Sequence, residues 1–293
     1  MNATYGRCAV NERLVSIGKR EIFISEFGRG PTVLMLHGGG PGASGVSNYS
    51  RNIEALAARY RVLVPDMPGY GKSTKGIDQS DPFGDLAQSM LGLLDALKIG
   101  RAHVVGISLG GACALRMAIE RPEAVGRLVL MGPGGVNTTR AIPTAGLRRL
   151  LGYYKGDGPT RDKLATFVRG DLVYDARDVT DAIIDERFRA SIDPEVVASP
   201  PLRGPRGMPK VRLIDFTRDD RLKAVQTPTL VLWGIEDKVN RASGAKTLAK
   251  IMSNCDVHLY SKTGHWVQWE RADEFNAMVT TFLAQDASVG AVN

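Results

Sequence analysis

Residues 104–111 read VVGISLGG, a β-branched strand that runs into a serine with glycine at both second neighbours. A packed core has no use for a hydroxyl at that point, and a simple turn would not require both glycines. The stretch G-I-S-L-G (106–110), with strand before it and helix after it, is expected to be a sharp turn. Such a turn holds Ser108 out at a helix N-terminus, where the dipole favours developing negative charge. The serine then needs a base, and the base needs an orienting acid. The chain has four histidines. His265, in KTGHWVQWE, leaves a strand for a loop near the chain end and is the expected base. His37 heads a glycine-rich loop and is expected to bond that loop's backbone. His103 and His258 belong to strands or to the surface. For the acid, WGIEDKVN (233–240) follows a buried strand; Asp237 is expected to turn toward the base and Glu236 away from it. Ser108, Asp237 and His265 together would perform nucleophilic acyl transfer to water.

HGGGPGASG (37–45) supplies the electrophilic side. Three successive glycines let backbone N–H groups approach a substrate oxygen. With the amide of Leu109 they make the expected oxyanion hole, Gly39 its principal donor and Gly38 and Gly40 against the substrate. A phosphate-binding reading of this loop lacks GK[ST], and no helix is expected directly after it. GYGKS (69–73) lacks the first glycine of a phosphate loop at the required spacing. Chemistry of this kind needs no metal or organic cofactor.

These residues need a scaffold that brings strand ends together. LVSIGKREIFISEFG (14–28) alternates about a Gly-Lys turn and predicts a hairpin. TVLMLHG, YRVLVP, HVVGIS, GRLVLMG and PTLVLWG are short continuous apolar runs, as expected of strands buried on both faces. RNIEALAARY, DLAQSMLGLLDALKIG (ended by Gly100), GGACALRMAIERPE (stopped at Pro122) and ADEFNAMVTTFLAQ have helical spacing. Strand and helix alternate, so the expected fold is α/β, a mostly parallel twisted sheet flanked by helices. The alternation breaks at 134–222, where RDKLATFVRGDLVY and DVTDAIIDERFRASI are helical. This stretch is expected to be an inserted helical cap, with 1–133 and 223–293 forming one core domain. The tail DASVGAVN is expected to fray.

Composition narrows the function classes. The chain has 293 residues, 43% hydrophobic and 24% charged, as in ordinary globular proteins. No apolar run approaches a bilayer span, and the N-terminus does not resemble a secretion signal, so no membrane partner is expected. The net charge of +7 is spread among acidic residues, which argues against nucleic acid and is compatible with a small anionic substrate. The clearest basic stretch, PLRGPRGMPKVR, reads as a loop. Cys8, Cys113 and Cys255 are odd in number and far apart. They form neither a disulfide framework nor a zinc site and suggest a cytoplasmic setting. Cys113 is expected to pack on a buried helix face.

Over about residues 14–285 the chain resembles the α/β-hydrolase superfamily, and within it the meta-cleavage-product hydrolases. That family cleaves a carbon–carbon bond in 2-hydroxy-6-oxohexa-2,4-dienoates. The resemblance is carried by HGGGPGASGVSNYSRN (37–52), LMGPGG (130–135), DERFRAS (185–191) and GHWVQWERADEFN (264–276), together with the chain order Ser108, Asp237, His265. It implies that Asn48 contacts the dienoate end of the substrate. It also implies that Arg187, on the cap, binds the carboxylate or 2-oxo group, and that Trp266 lines the same subsite. Dimers or higher homo-oligomers are implied as well. From the residues alone, Arg187 and Arg189 read as a solvated helix face, and Asn48 as a loop cap. Two positions depart from the family pattern: Ile107 stands where Asn usually precedes the serine, and Val46 where Trp is frequent. They leave open an esterase or lactonase with the same residues, and a ligand receptor on the same scaffold. GLRRLLGYY (146–154) could line the pocket or pack in the core.

Overall fold

The computed structural model describes residues 10–203 and 210–285. Cys8, half of the basic loop (204–209) and the C-terminal tail lie outside the described residues.

Eight strands form one sheet in the order β1-β2-β4-β3-β5-β6-β7-β8. β1 (Val10–Ile17) and β2 (Arg20–Phe27) make the expected antiparallel hairpin about Gly18 and Lys19, and β2 pairs antiparallel with β4 (Arg61–Pro65). From β4 onward every pairing is parallel: β3 (Thr32–Leu36), β5 (Ala102–Ile107), β6 (Val125–Met131), β7 (Thr229–Gly234) and β8 (Cys255–Tyr260). All residues of β3, β5 and β7 are buried, which is why they read as continuous apolar runs. Along β5, Val104 packs into the core on one face of the sheet, while Val105 and Ile107 pack into the core on the other.

The helices are α1 (Gly45–Tyr49), α2 (Ile53–Ala57), α3 (Pro82–Ala96), α4 (Leu109–Glu120), α5 (Ala145–Gly152) and α6 (Arg161–Phe167). They continue with α7 (Asp181–Ser191), α8 (Pro194–Ala198), α9 (Val211–Ile214), α10 (Ser243–Ile251), α11 (Val267–Glu270) and α12 (Ala272–Leu283). Cys113 is buried in α4, as expected, and burial raises its thiol pKa. Helices α5 to α9 fall between β6 and β7, where the alternation of strand and helix breaks.

Three local expectations need correction. α3 is not ended by Gly100: Leu97 is its C-cap, and Lys98 takes the left-handed conformation at φ 55°. α2 is half the length its spacing suggested. A helix does follow the glycine loop directly, since Ser44 and Ser47 form a capping box that starts α1.

The strand order changes direction between β3 and β5, whose neighbours β4 and β6 lie on opposite sides. In open parallel sheets the crevice outside the carboxyl ends of such strands is the place for a ligand. The glycine loop leaves β3 and Ser108 leaves β5, so both reach that crevice.

Candidate active site

Ser108 is the N-cap of α4 at φ 53°, ψ −114°, a conformation that costs a non-glycine residue of order 1–3 kcal/mol. Its amide donates to Met131 O (2.9 Å), and its carbonyl accepts from Gly134 N and Ala112 N (2.9 Å each). These bonds to β6, its exit loop and α4 hold the strained turn. The flanking glycines are required. A Cβ on Gly106 would strike Gly110 O, and one on Gly110 would strike Leu36 O on the neighbouring strand. The glycines of VVGISLGG let the turn press against two backbones and leave the serine at the crevice.

His265 follows β8. Its Nδ1–H donates to Asp237 Oδ2 at 2.7 Å, and both side chains are buried. Asp237, after β7, also accepts from Trp233 Nε1 (3.0 Å) at Oδ2, and from the amides of Val239 (2.7 Å) and Asn240 (2.8 Å) at Oδ1. Three donors besides the imidazole fix the carboxylate that faces the ring. Glu236 turns away and accepts from Thr263 N (3.0 Å). Ser108 and His265 line one small pocket, together with Gly38, Gly39, Gly40, Asn48, Ile107, Arg187 and Trp266.

His37 does bond the loop backbone. Nε2 accepts from Met67 N (2.9 Å), so Nδ1 is the donor to Gly38 O (2.8 Å), and the ring is neutral; burial lowers its pKa. Tyr70 O–H donates to Gly39 O (3.1 Å) and fixes the loop from the other side. Gly39 lines the pocket, and Leu109 follows Ser108. Leu109 opens α4, so its N–H has no partner within that helix. Gly38 is not free in this way: its amide donates to Asn48 Oδ1 (3.1 Å). Asn48 in turn donates to Ser44 O (3.1 Å), so it caps the loop while still lining the pocket. His103 is buried in β5 and accepts from Arg127 N (3.1 Å); His258 is exposed on β8.

Arg187 is not on a solvated face. It is 3% exposed, its Nη2 donates to Pro41 O (3.0 Å), and its guanidinium carbon stands 5.1 Å from the Trp266 ring centroid. Nε and Nη1 are buried with no partner. Burial lowers its pKa to about 10, so it remains a cation at neutral pH. Arg189, two residues on, is exposed. Of the two departures from the family pattern, Ile107 lines the pocket and presents only carbon, whereas Val46 packs into the core beside it. Leu150, from GLRRLLGYY, lines this pocket and an adjoining one that reaches Tyr154.

Two side chains of the GHWVQWE stretch have functions that sequence reasoning missed. Gln268 donates to Asn48 O (3.1 Å), and Glu270 bonds the backbone on both sides of a joint. Glu270 accepts from Gly264 N (2.7 Å) next to His265, and from Tyr174 N (2.7 Å) and Asp175 N (3.3 Å) in the helical insert. The amides of His265 and Trp266 both donate to Leu172 O, at 2.8 and 3.0 Å. Leu172 ends a π-helical turn (Val168–Leu172) and lines the pocket. The loop that carries His265 is therefore bonded to the helical segment between β6 and β7.

The profile of the alpha/beta hydrolase fold matches residues 31–272. The chain is 38% identical to a 2-hydroxy-6-oxononadienedioate/2-hydroxy-6-oxononatrienedioate hydrolase of Paraburkholderia xenovorans strain LB400, over 91% of this chain and 92% of that one. It is 38% identical to a 2-hydroxy-6-oxo-6-phenylhexa-2,4-dienoate hydrolase of Comamonas testosteroni, over 90% and 91%. Among solved structures it is similar to a meta-cleavage product hydrolase of Pseudomonas fluorescens IP01, with a TM-score of 0.80 and 31% identity over 93% of this chain and 97% of that one. With Ser108, Asp237 and His265 brought to the ends of three parallel strands and identity of this extent, the chain belongs to the alpha/beta hydrolase fold family and, within it, to the meta-cleavage-product hydrolases.

Proposed function

We propose that this protein hydrolyses the C5–C6 carbon–carbon bond of a 2-hydroxy-6-oxohexa-2,4-dienoate, giving 2-hydroxypenta-2,4-dienoate and a carboxylic acid. The observation that carries this reading is Arg187. A buried cation with two unpaired nitrogens shares a pocket with Ser108 and His265, and such a group calls for an anionic partner. A simple neutral ester offers none. The two curated relatives named above supply the substrate class.

The reaction follows from where the groups stand. The substrate carboxylate and 2-oxygen lie against Arg187, Trp266 and Asn48. Tautomerisation moves the 2-hydroxyl proton to C5, which leaves a ketone at C2 conjugated to the C3–C4 double bond. His265 takes the proton of Ser108, and Oγ attacks the C6 carbonyl. Asp237 keeps Nδ1 protonated and stabilises the imidazolium. The C6 oxyanion rests on the amides of Gly39 and Leu109, with Gly40 beside it. The C5–C6 bond then breaks. Its electron pair passes through C4 and C3 to the 2-oxygen, where Arg187 balances the charge; the proton taken up by His265 is given back to the departing dienolate, which yields the dienol and restores the neutral imidazole. Water, deprotonated by His265, attacks the acyl group on Ser108 and frees the acid.

The same reading takes residues 134–222 as a cap that closes the pocket over a core of 1–133 and 223–293. It also includes a homo-oligomer in the cytoplasm. The family resemblance supports the first, and the unpaired thiols of Cys113 and Cys255 fit the second.

Acid quenching during turnover of the 6-phenyl dienoate, followed by peptide mass analysis, tests the reading. A benzoyl group on the peptide that contains Ser108 is expected. Inertness toward the dienoate combined with rapid hydrolysis of neutral aryl esters would replace it with an esterase, for which Ile107 would be the structural mark.

A further inference from the structure

We infer that this chain takes dienoates whose C6 substituent is neutral and apolar, and rejects those that end in a second carboxylate. The inference rests on the carbon–carbon hydrolase reading and concerns the part of the pocket beyond the scissile bond. Among the described residues, Arg187 is the only Lys, Arg, Asp or Glu lining either the Ser108 pocket or the adjoining one. His265 is committed to Asp237 and to the reaction. One cation can balance one carboxylate, and the dienoate end of every substrate in the class already carries one.

Among the described residues, the tyrosine hydroxyls and the Asn48 amide offer a second carboxylate no free hydrogen either. The hydroxyls that line the adjoining pocket are spent: Tyr70 donates to Gly39 O (3.1 Å) and Tyr154 to Ser191 O (3.1 Å). Asn48 gives its amide hydrogens to Ser44 O (3.1 Å) and Ser47 Oγ (3.5 Å). Ile107, Leu150, Phe167, Leu172 and Val239 add walls of carbon near Ser108.

The second charge would also be brought beside buried reacting groups. In a 2-hydroxy-6-oxonona-2,4-dienedioate the second carboxylate is C9, three bonds beyond C6. When Ser108 attacks C6, C9 is held close to a serine that is 8% exposed and a histidine that is 3% exposed. An unpaired carboxylate at that depth loses its hydration without compensation, which is among the largest penalties a pocket can impose. A phenyl or alkyl group in the same place only gains by leaving water.

The experiment compares three substrates with the intact protein. They are the 6-phenyl dienoate, the nonadienedioate and the C9 primary amide of the nonadienedioate, which keeps the shape and removes the charge. The phenyl compound is expected to exceed the dioate in kcat/KM by at least about 100-fold, and the amide to recover most of that difference. Dioate turnover within about tenfold of the phenyl compound would overturn the inference. So would an amide as slow as the dioate, since size and not charge would then decide. Failure of all three, with an aryl ester turned over, would instead overturn the carbon–carbon hydrolase reading beneath it.

Discussion

His265 Nδ1 lies 2.7 Å from Asp237 Oδ2, and three further N–H groups converge on the same carboxylate, from Trp233, Val239 and Asn240. This arrangement keeps the proton on Nδ1 and leaves Nε2 as the nitrogen available to Ser108. Asp237→Asn places an amide N–H where an acceptor is needed, or forces the ring into the other tautomer. We expect kcat to fall by roughly 10³- to 10⁴-fold. Stopped-flow loss of dienoate absorbance checks this, with circular dichroism to show that the fold persists.

Ser108 pays for its position in backbone strain, at φ 53°. Ser108→Gly removes the Cβ that makes this conformation costly. The variant should be inactive and yet more stable than the parent, by about 1 kcal/mol. Calorimetry should register a rise of about 2–4 °C in Tm. An unchanged or lower Tm would mean that the turn is not strained.

Arg187 has the opposite economy: it is buried with Nε and Nη1 unpaired and one bond to Pro41 O. Arg187→Met should leave Tm unchanged or raise it, because a desolvated cation is replaced by a side chain suited to the site. The same change should lower kcat/KM for the dienoate by at least about 100-fold and leave a neutral aryl ester within a few-fold. Parallel assays on both substrates distinguish loss of anion binding from general damage.

Glu270 is a positioning residue, since it touches the backbone around His265 and not the pocket. Burial raises its carboxyl pKa, against the pull of its three backbone donors and of Arg271. An acid that is weaker in the folded protein than in the unfolded chain holds its proton in the folded state over the window between the two values. Its contribution to stability is therefore full below the unfolded value and is lost as pH rises through the folded one. Denaturant titrations across the mildly acidic range should show wild type losing stability relative to Glu270→Gln as pH rises. At neutral pH, kcat should fall in the order wild type, Gln, Ala, with KM less affected. Equal kcat in all three would remove Glu270 from the account.

The parts of the site that sequence makes legible are those attached to strands. Ser108, Asp237 and His265 each follow a strand of the parallel sheet, and β5 and β7 announce themselves as unbroken apolar runs. Less visible are groups whose partners are distant in the chain. Gln268 bonds Asn48, 220 positions away, and Glu270 bonds Tyr174. No spacing rule reports such pairs. The residue types alone suggest a solvated face for Arg187, and only the family resemblance points it to the substrate; yet a signal for burial exists, since it lies three residues after Ile184 and four before Ser191, all buried on one stripe of α7. Gly38 appears free in HGGG only because the competing acceptor, Asn48 Oδ1, arrives from the next helix.

The most direct test of the account is cleavage of 2-hydroxy-6-oxo-6-phenylhexa-2,4-dienoate by wild type and Ser108→Ala, with benzoate and 2-hydroxypenta-2,4-dienoate both quantified. The account predicts rapid bleaching by wild type, the two products in equal amounts, and cleavage slowed by at least about 10³-fold in the variant. Wild type that binds the dienoate without cleaving it, or a variant that cleaves at the parent rate, would contradict it.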